Sequence, residues 1–183
     1  MRAKLALLGF FFFVSQALAD AKISEIKVTL DGERVLASFA LQDAFDHRLS
    51  ERVDSGLPTS ILYQIELDRD RKRWWDQKLR DVTLEVVAMY DAVARSYTVH
   101  YKLNDKLIES RTLRDRQALQ EAMTVIDRLP VFEVASLPRE GRALLKVQAE
   151  TGSRTLLSFI PVSIKTDWKE SPKFRSPQAQ KPP

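Results

Sequence analysis

Apolar and polar residues alternate along much of the chain after residue 25, a pattern that is typical of β-strands with one buried face. Alternating segments lie at residues 26–41, 59–68, 82–90, 97–103 and 145–149, and turns delimit further short strands at 106–110 and 155–164. The first of these contains Asp31-Gly32, and such a pair tolerates the positive φ that a tight hairpin turn needs. We therefore expect about eight strands, of which the first two form a β-hairpin.

Two segments have the apolar spacing of a helix instead. In residues 43–55 the apolar side chains recur every four residues, and Gly56 and Pro58 predict the end of that helix. In residues 112–129 the apolar side chains are three and four residues apart, and Pro130 follows. The pattern therefore predicts two short amphipathic helices.

The order of these elements indicates the fold class. Many short strands with turns between them, and no repeated strand-helix-strand unit, favour an antiparallel sheet over a parallel one. We expect a mainly β protein: an antiparallel β-sandwich, Ig-like or a partly open barrel, of about eight strands with two short amphipathic helices.

The first nineteen residues have the three parts of a secretory signal peptide. Arg2 and Lys4 are basic, residues 5–14 are apolar, and Ala17-Leu18-Ala19 matches the small-residue cleavage pattern. The apolar run is shorter than the roughly 20 residues that a membrane-spanning helix needs. We expect cleavage of residues 1–19 after Ala19 and export of a mature chain that begins at Asp20.

The rest of the chain is predicted to form one domain and a tail. Residues 20–168 have the size of a single β-sandwich domain. Residues 169–183 combine four Pro with Lys, Gln and Ser, and such a composition buries too little apolar surface to offset the entropy of ordering it. We therefore expect a flexible Pro/Lys-rich tail at 169–183.

The net charge of the chain, +4, lies mostly outside the predicted domain. The signal peptide contributes two positive charges and residues 169–183 contribute a net three, which leaves residues 20–168 at −1. A domain so close to neutral lacks the broad basic surface of a nucleic-acid-binding protein. We expect no nucleic-acid partner.

The residue types that most catalytic and cofactor sites require are scarce in this chain. It has no Cys, only two His (His47 and His100), and five Gly that stand far apart, which argues against a zinc site, a nucleophile elbow and a phosphate loop. Asp68 and Asp70 form a close carboxylate pair, but ion pairs with the arginines that flank them are the simpler explanation. We therefore expect a non-enzymatic protein with no metal and no cofactor.

The most distinctive local feature is a basic and aromatic segment between the third and fourth predicted strands. Its candidate interaction patch consists of Arg69, Arg71, Arg73, Trp74 and Trp75. Guanidinium and indole groups together suit a protein partner, a carbohydrate or an anionic membrane surface. The structural alternative is that an indole caps one end of the sandwich while the Arg stems pack along it.

Four segments, in their order along the chain, carry a family resemblance. They are GLPTSILYQIEL at 56–67, RKRWWD at 71–76, YDAVARSYTVHY at 90–101 and LQEAM at 119–123. Together they resemble the family catalogued as domain of unknown function 4390, over most of residues 26–168. The chain resembles a divergent member, because TLLSFIPVSIKTDW at 155–168 replaces the Leu-Pro-Lys-Pro type segment of many members.

The resemblance implies a periplasmic protein of Gram-negative bacteria with no assigned activity, often encoded beside a two-component sensor kinase. It supplies no catalytic residue. Besides Arg73, Trp74 and Trp75, the family pattern falls on Gly56, Pro58, Asp76, Tyr90, Asp91 and Tyr97.

Two functional hypotheses follow from these observations. The first is a periplasmic protein that binds an envelope protein, such as the exported region of a sensor kinase, through the Arg/Trp segment, with peripheral membrane contact as a variant. The alternative is a small-ligand or lipid-binding module with an apolar gap between its sheets, lined by strands such as 61–67 and 82–90.

Overall fold

The structure is a computed structural model that describes residues 20–71, 76–156 and 160–177. The predicted signal peptide, residues 1–19, lies outside these ranges. So do three members of the candidate interaction patch, Arg73, Trp74 and Trp75.

The described residues form eleven strands and two α-helices. The strands are β1 (Lys22–Ile23), β2 (Lys27–Asp31), β3 (Arg34–Gln42), β4 (Thr59–Arg69), β5 (Gln77–Asp91), β6 (Ser96–Leu103), β7 (Lys106–Leu113), β8 (Val125–Glu133), β9 (Ala143–Leu156), β10 (Ile160–Lys165) and β11 (Lys169–Glu170). The helices are α1 (His47–Asp54) and α2 (Arg116–Thr124), and a short 3-10 turn spans Val134–Ser136. Neither α1 nor α2 has the length and hydropathy that a membrane-crossing helix needs.

The strands form two antiparallel sheets. In the smaller sheet β3 pairs with β1, β2 and β8. The larger sheet has the order β10-β9-β4-β5-β6-β7, and β11 also pairs with β9. The predicted fold class, a mainly β antiparallel sandwich with two short helices, is confirmed.

One hydrophobic core joins the two sheets. The alternating side chains predicted on one face of β4, namely Ile61, Tyr63, Ile65 and Leu67, have no exposed surface. Across the core, the ring of Phe39 on β3 lies 5.4 Å from the ring of Tyr63, centroid to centroid. The period-two pattern thus identified the inward face of the central strand.

The predicted first hairpin is present. Asp31 pairs with Arg34, so Gly32 and Glu33 make the two-residue turn between β2 and β3. Gly32 has a φ of 57°, a conformation in which glycine avoids the steric cost that other residues meet. The turn signal in the sequence therefore reflects a real backbone requirement.

The predicted second helix is wrong at both ends. α2 begins at Arg116, where the Asp115 carboxylate accepts a hydrogen bond from the Ala118 amide at 2.8 Å, and it ends at Thr124. Residues 125–133 form β8 instead of continuing the apolar stripe.

Tertiary contacts stabilise the C-terminal end of α2. The last carbonyls of a helix lack hydrogen-bond donors within the helix. Here two buried tyrosines supply the missing donors. The hydroxyl of Tyr63 donates to the Met123 carbonyl at 2.8 Å, and that of Tyr101 donates to the Ala122 carbonyl at 2.7 Å. Burial raises the pKa of both tyrosines, so the hydroxyls stay protonated and remain donors.

Pro130 lies inside a strand and does not end a helix. β8 pairs with β3 with two register shifts, and Pro130 faces Leu36 directly beside one of them. Proline is tolerated at such irregular positions of a sheet because its missing amide is not needed by the ladder. The residue that predicted a helix end therefore marks a bulged strand.

The C-terminal residues differ from the predicted tail, at least as far as residue 174. β11 pairs with β9, the Ser171 amide donates to the Leu145 carbonyl at 2.8 Å, and Phe174 and Ala143 exchange two backbone hydrogen bonds. The ring of Phe174 packs against the core. The composition of this segment is poor in apolar residues, but the open edge of β9 satisfies its backbone groups.

Candidate interaction site

The connection between β4 and β5 carries the candidate interaction patch. Arg69 ends β4 and is half-buried, and Arg71 follows with an exposed side chain. The Arg71 amide donates to the Asp76 carboxylate at 3.3 Å, and its guanidinium donates to the Gln77 side chain. The structure thus places Arg69 and Arg71 at one end of the connection and Asp76 at the other.

Asp70 fixes the first end of this connection to β9 and to the C-terminal segment. Its amide donates to the Arg142 carbonyl at 2.8 Å. Its carboxylate accepts from the Lys173 ammonium at 2.8 Å and lies 3.0 Å from the Arg142 guanidinium. Backbone and side chain of one residue therefore hold the chain as it leaves β4.

Lys146 on β9 ties the second end of the connection to the sheet. Its ammonium lies 3.6 Å from the Asp76 carboxylate, 3.0 Å from that of Asp68 and 3.4 Å from that of Glu170. The side chain of Asp68 is only 5% exposed, and its Oδ1 has no hydrogen-bond partner among the described residues. Lys146 is therefore the charge that compensates a buried carboxylate.

We call these groups the base cluster. It comprises two groups of ion pairs, Asp70 with Arg142 and Lys173, and Lys146 with Asp68, Asp76 and Glu170. Chain segments that are far apart in sequence meet here, and both ends of the connection between β4 and β5 rest on it.

The charges of the base cluster shift the pKa values of two of its members. The hydrogen bond from Lys173, together with the nearby Arg142, holds the pKa of Asp70 below its usual value. Burial alone would lower the pKa of Lys146, but the hydrogen bonds and charges of Asp68 and Glu170 outweigh burial and raise it. Both groups therefore stay charged through the neutral range.

The predicted ion pairs of Asp68 and Asp70 exist, but with other partners. The sequence favoured the flanking arginines, whereas the structure pairs Asp68 with Lys146, and Asp70 with Arg142 and Lys173. Successive side chains of a strand point to opposite faces, so a neighbour in sequence is a poor partner. These cations follow the carboxylates by more than 70 positions, and no local pattern could reveal them.

A family model described as Domain of unknown function (DUF4390) matches residues 19–173. The chain belongs to this family. The resemblance noted from four segments is confirmed, and the DUF4390 match extends beyond the predicted domain end at residue 168 into the residues that pair with β9. Comparison with curated proteins and with solved structures finds no match.

Most of the other positions that the resemblance singled out lie at the opposite end of β4 and β5. Gly56 has a φ of 78° just after α1, and its amide donates to the Val53 carbonyl at 3.0 Å. A Cβ at Gly56 would lie 3.5 Å from the Tyr90 carbonyl oxygen. Gly56 therefore ends the helix, as predicted, and Pro58 follows it in the exposed loop before β4.

Tyr90, Asp91 and Tyr97 stabilise the turn between β5 and β6. The Asp91 carboxylate accepts from the amides of Val93 and Ala94 at 2.8 and 2.9 Å. The rings of Tyr90 and Tyr97 are 4.9 Å apart, centroid to centroid, and the Tyr97 hydroxyl donates to the Asp54 carboxylate at 2.8 Å. These contacts give Tyr90, Asp91 and Tyr97 structural roles.

The two histidines of the chain lie apart in the described structure. His47 is exposed, 3.3 Å from the Glu51 carboxylate, and the His100 Nδ1 is 2.7 Å from the Ser110 hydroxyl. Among residues 20–71, 76–156 and 160–177, no three His, Asp or Glu side chains are arranged to hold a metal ion.

The side chains suggested as the lining of an apolar ligand gap belong to the hydrophobic core. Leu84, Val86 and Ala88 of β5, like their neighbours on β4, have no exposed surface and belong to the single core. Two surface grooves lie elsewhere. One of about 370 Å³ lies between residues 25–28 and 172–174, and one of about 600 Å³ borders Arg34, Arg80 and the end of β8.

Proposed function

We propose that this DUF4390 protein is a non-enzymatic binding protein of the bacterial envelope, exported by residues 1–19, that engages a protein partner through Arg69, Arg71, Arg73, Trp74 and Trp75. The observation that carries the proposal is the anchoring of both ends of the connection between β4 and β5 by the base cluster.

Anchoring favours binding because it reduces the conformational entropy that the connection loses when a partner binds. A free basic segment loses conformational freedom when a partner immobilises it, at roughly 0.5–1.5 kcal/mol for each ordered side chain. Here the base cluster holds Asp70, which lies three residues before Arg73, and Asp76, which directly follows Trp75. Part of the ordering cost of the connection is thus met before a partner arrives.

The chemistry of the patch indicates what the partner offers. Arginine and tryptophan dominate protein interfaces because they combine apolar area with directed hydrogen bonds or charge. Three guanidinium groups precede the two indoles in sequence. A partner surface with carboxylates around an apolar pocket complements this patch, and the exported region of a membrane protein is the candidate we favour.

Export is tested first, by fractionation of cells that express the full chain. We expect the protein in the periplasmic fraction with Asp20 as its N-terminal residue, because cleavage follows Ala19 in the predicted signal peptide. A cytoplasmic protein that keeps residues 1–19 would contradict the proposal.

The binding site is tested by cross-linking and pull-down from envelope fractions. The variant Arg73→Glu/Trp75→Ala is compared with wild type and with Arg95→Glu/Val93→Ala, which makes the same two kinds of change in the exposed turn between β5 and β6. We expect one or more envelope proteins to be captured at least tenfold less by the first variant and equally by the second, with circular dichroism showing that both are folded.

Two results would overturn the proposal. A first variant that unfolds would mean that the segment has a structural role. A partner list that is unchanged in both variants would mean that the patch does not bind, and native mass spectrometry for a co-purified lipid would then test the ligand-binding alternative.

A further inference from the structure

The outer edge of β7 is an open strand edge. β7 closes the larger sheet at one end, where it pairs with β6 on one side, and no described strand pairs with its other side. Its residues are exposed from Lys106 to Thr112, including Leu107 at 55% and Ile108 at 45%. Unpaired amides and carbonyls along such an edge are a template for another strand.

β7 lacks two features that disrupt strand pairing at another edge, namely proline and a positive φ. β8, an edge of the smaller sheet, carries Pro130, two register shifts and a positive φ at Arg128. β7 contains neither Pro nor Gly. It has one register shift, near Ile108, and from Glu109 to Leu113 it pairs regularly with β6. A regular edge of five residues is thus available.

We propose that β7 pairs antiparallel with β7 of a second copy of this chain, about a two-fold axis that places Ser110 opposite Ser110. In this register Glu109 of each copy lies opposite Arg111 of the other. The larger sheets of the two copies join into one across the dimer. This inference does not depend on the proposed function.

Charge selects this register over its neighbours. Moving the strands by two residues in one direction places Arg111 opposite Arg111, and in the other direction it places Glu109 opposite Glu109. Like charges directly opposite destabilise a strand pair, whereas opposite charges contribute roughly 0.2–1 kcal/mol for each pair. Glu109 and Arg111 already share one face and form an ion pair within the chain, with 2.6 Å between Oε1 and Nε, so the dimer gathers four alternating charges.

A single cysteine tests the register directly, because the natural chain has none. Directly opposite residues have Cα atoms about 4.5–5.5 Å apart, within the range that a disulfide needs. In Ser110→Cys the introduced thiols of the two copies would lie directly opposite each other. In the control Thr112→Cys the two positions would be four residues apart along the strands, roughly 13 Å. We expect disulfide dimers to form at least tenfold faster in the first variant under mild oxidation.

Charge reversals in β7 test the contact between the two strands. Dimerisation is measured by sedimentation velocity over a concentration series. Glu109→Arg and Arg111→Glu each turn both opposite-charge pairs into like-charge pairs, and we expect each to weaken dimerisation by about tenfold or more. The double variant restores opposite charges and should restore the dimer, while melting temperatures verify folding. A wild-type protein that stays monomeric at about 200 µM would overturn the inference. So would equal cross-linking of the two cysteine variants, or a dimer that neither single charge reversal weakens.

Discussion

At the scale of the residue, Asp70 shows how one side chain can hold a surface connection in place. Its carboxylate is 8% exposed and contacts two cations from distant segments, Arg142 and Lys173. Ion pairs on an open surface contribute little, but a carboxylate with two partners and a bonded amide restricts the backbone around it. Asp70 therefore links the end of β4 to both β9 and the C-terminal segment.

The lowered pKa of Asp70 predicts a pH dependence of stability. The folded protein binds the Asp70 proton less tightly than the unfolded chain does, so this stabilisation is fully present above the ordinary pKa of 3.8 and is lost as the pH falls through the lower folded value. In Asp70→Asn this contribution is absent at every pH. We therefore expect the melting temperature of the variant to lie further below that of wild type at pH 7 than at pH 3.

Thermal unfolding from pH 3 to pH 7 checks this expectation, with Asp167→Asn as a control for removing an exposed carboxylate. A difference between Asp70→Asn and wild type that is the same at pH 3 and pH 7 would contradict it.

At the scale of the element, the C-terminal segment acts as a strap along the edge of β9. It runs from β11 through Ser171 to Phe174, and Lys173 reaches the base cluster from it. Ser171 contributes twice, since its hydroxyl also accepts from the Leu145 amide at 2.9 Å. The strap covers an edge that would otherwise be open and completes the cation set around Asp70.

Truncation distinguishes a strap from a tail. We expect a mature chain that ends at Trp168 to lose about 2–6 kcal/mol of unfolding free energy relative to one that ends at Pro177, because it loses four hydrogen bonds to β9 besides the β11 pairing, each with a net contribution of about 0.5–1.5 kcal/mol. Denaturant titration of both chains measures the difference. Equal stabilities would mean that residues 169–177 contribute nothing and that the tail prediction describes them better.

At the scale of the whole molecule, the two sheets depend on each other because they share one core. Phe39 comes from the smaller sheet and Tyr63 from the larger, and both are buried. The hydroxyl of Tyr63 also holds the end of α2. A change at this contact should therefore affect the entire fold rather than one sheet.

We expect Phe39→Ala to lower the free energy of unfolding by about 3–5 kcal/mol, the usual cost of truncating a buried Phe, in a single transition that both circular dichroism and tryptophan fluorescence report. Val93→Ala, at a position that is 96% exposed, is the control and should change little. Two separated transitions in the Phe39 variant would show that the sheets unfold independently.

How much the sequence revealed depended on whether the signal was local. Alternation on β4 and β6 predicted their inward faces, and Gly32 and Gly56 predicted a hairpin turn and a helix end that the structure contains. Each of these signals is a requirement of the backbone or of one element's surface. Such requirements are met within a few residues, so the sequence displays them.

The predictions were wrong where pairing with a segment distant in sequence changed the structure that the local pattern favoured. The apolar stripe after Thr112 and the stop at Pro130 are valid helix signals, yet pairing with β3 turns residues 125–133 into a strand. The polar composition after residue 168 is a valid signal for a tail, yet the edge of β9 supplies hydrogen-bond partners for its backbone. In the candidate interaction site, Arg69 and Arg71 were found from sequence, but the cations that pair with Asp68 and Asp70 were not.

The sequence by itself determined the fold class, the family and the inward faces of β4, β5 and β6, because the period-two alternation, the turn residues and the family segments are all local patterns. Only the tertiary structure decided where α2 ends, how far the ordered chain extends, and which charges hold the connection between β4 and β5. The physical reason is that burial and charge pairing depend on segments that folding brings together. Lys146, Arg142 and Lys173 become partners of Asp68 and Asp70 only when β9 and the strap lie beside β4.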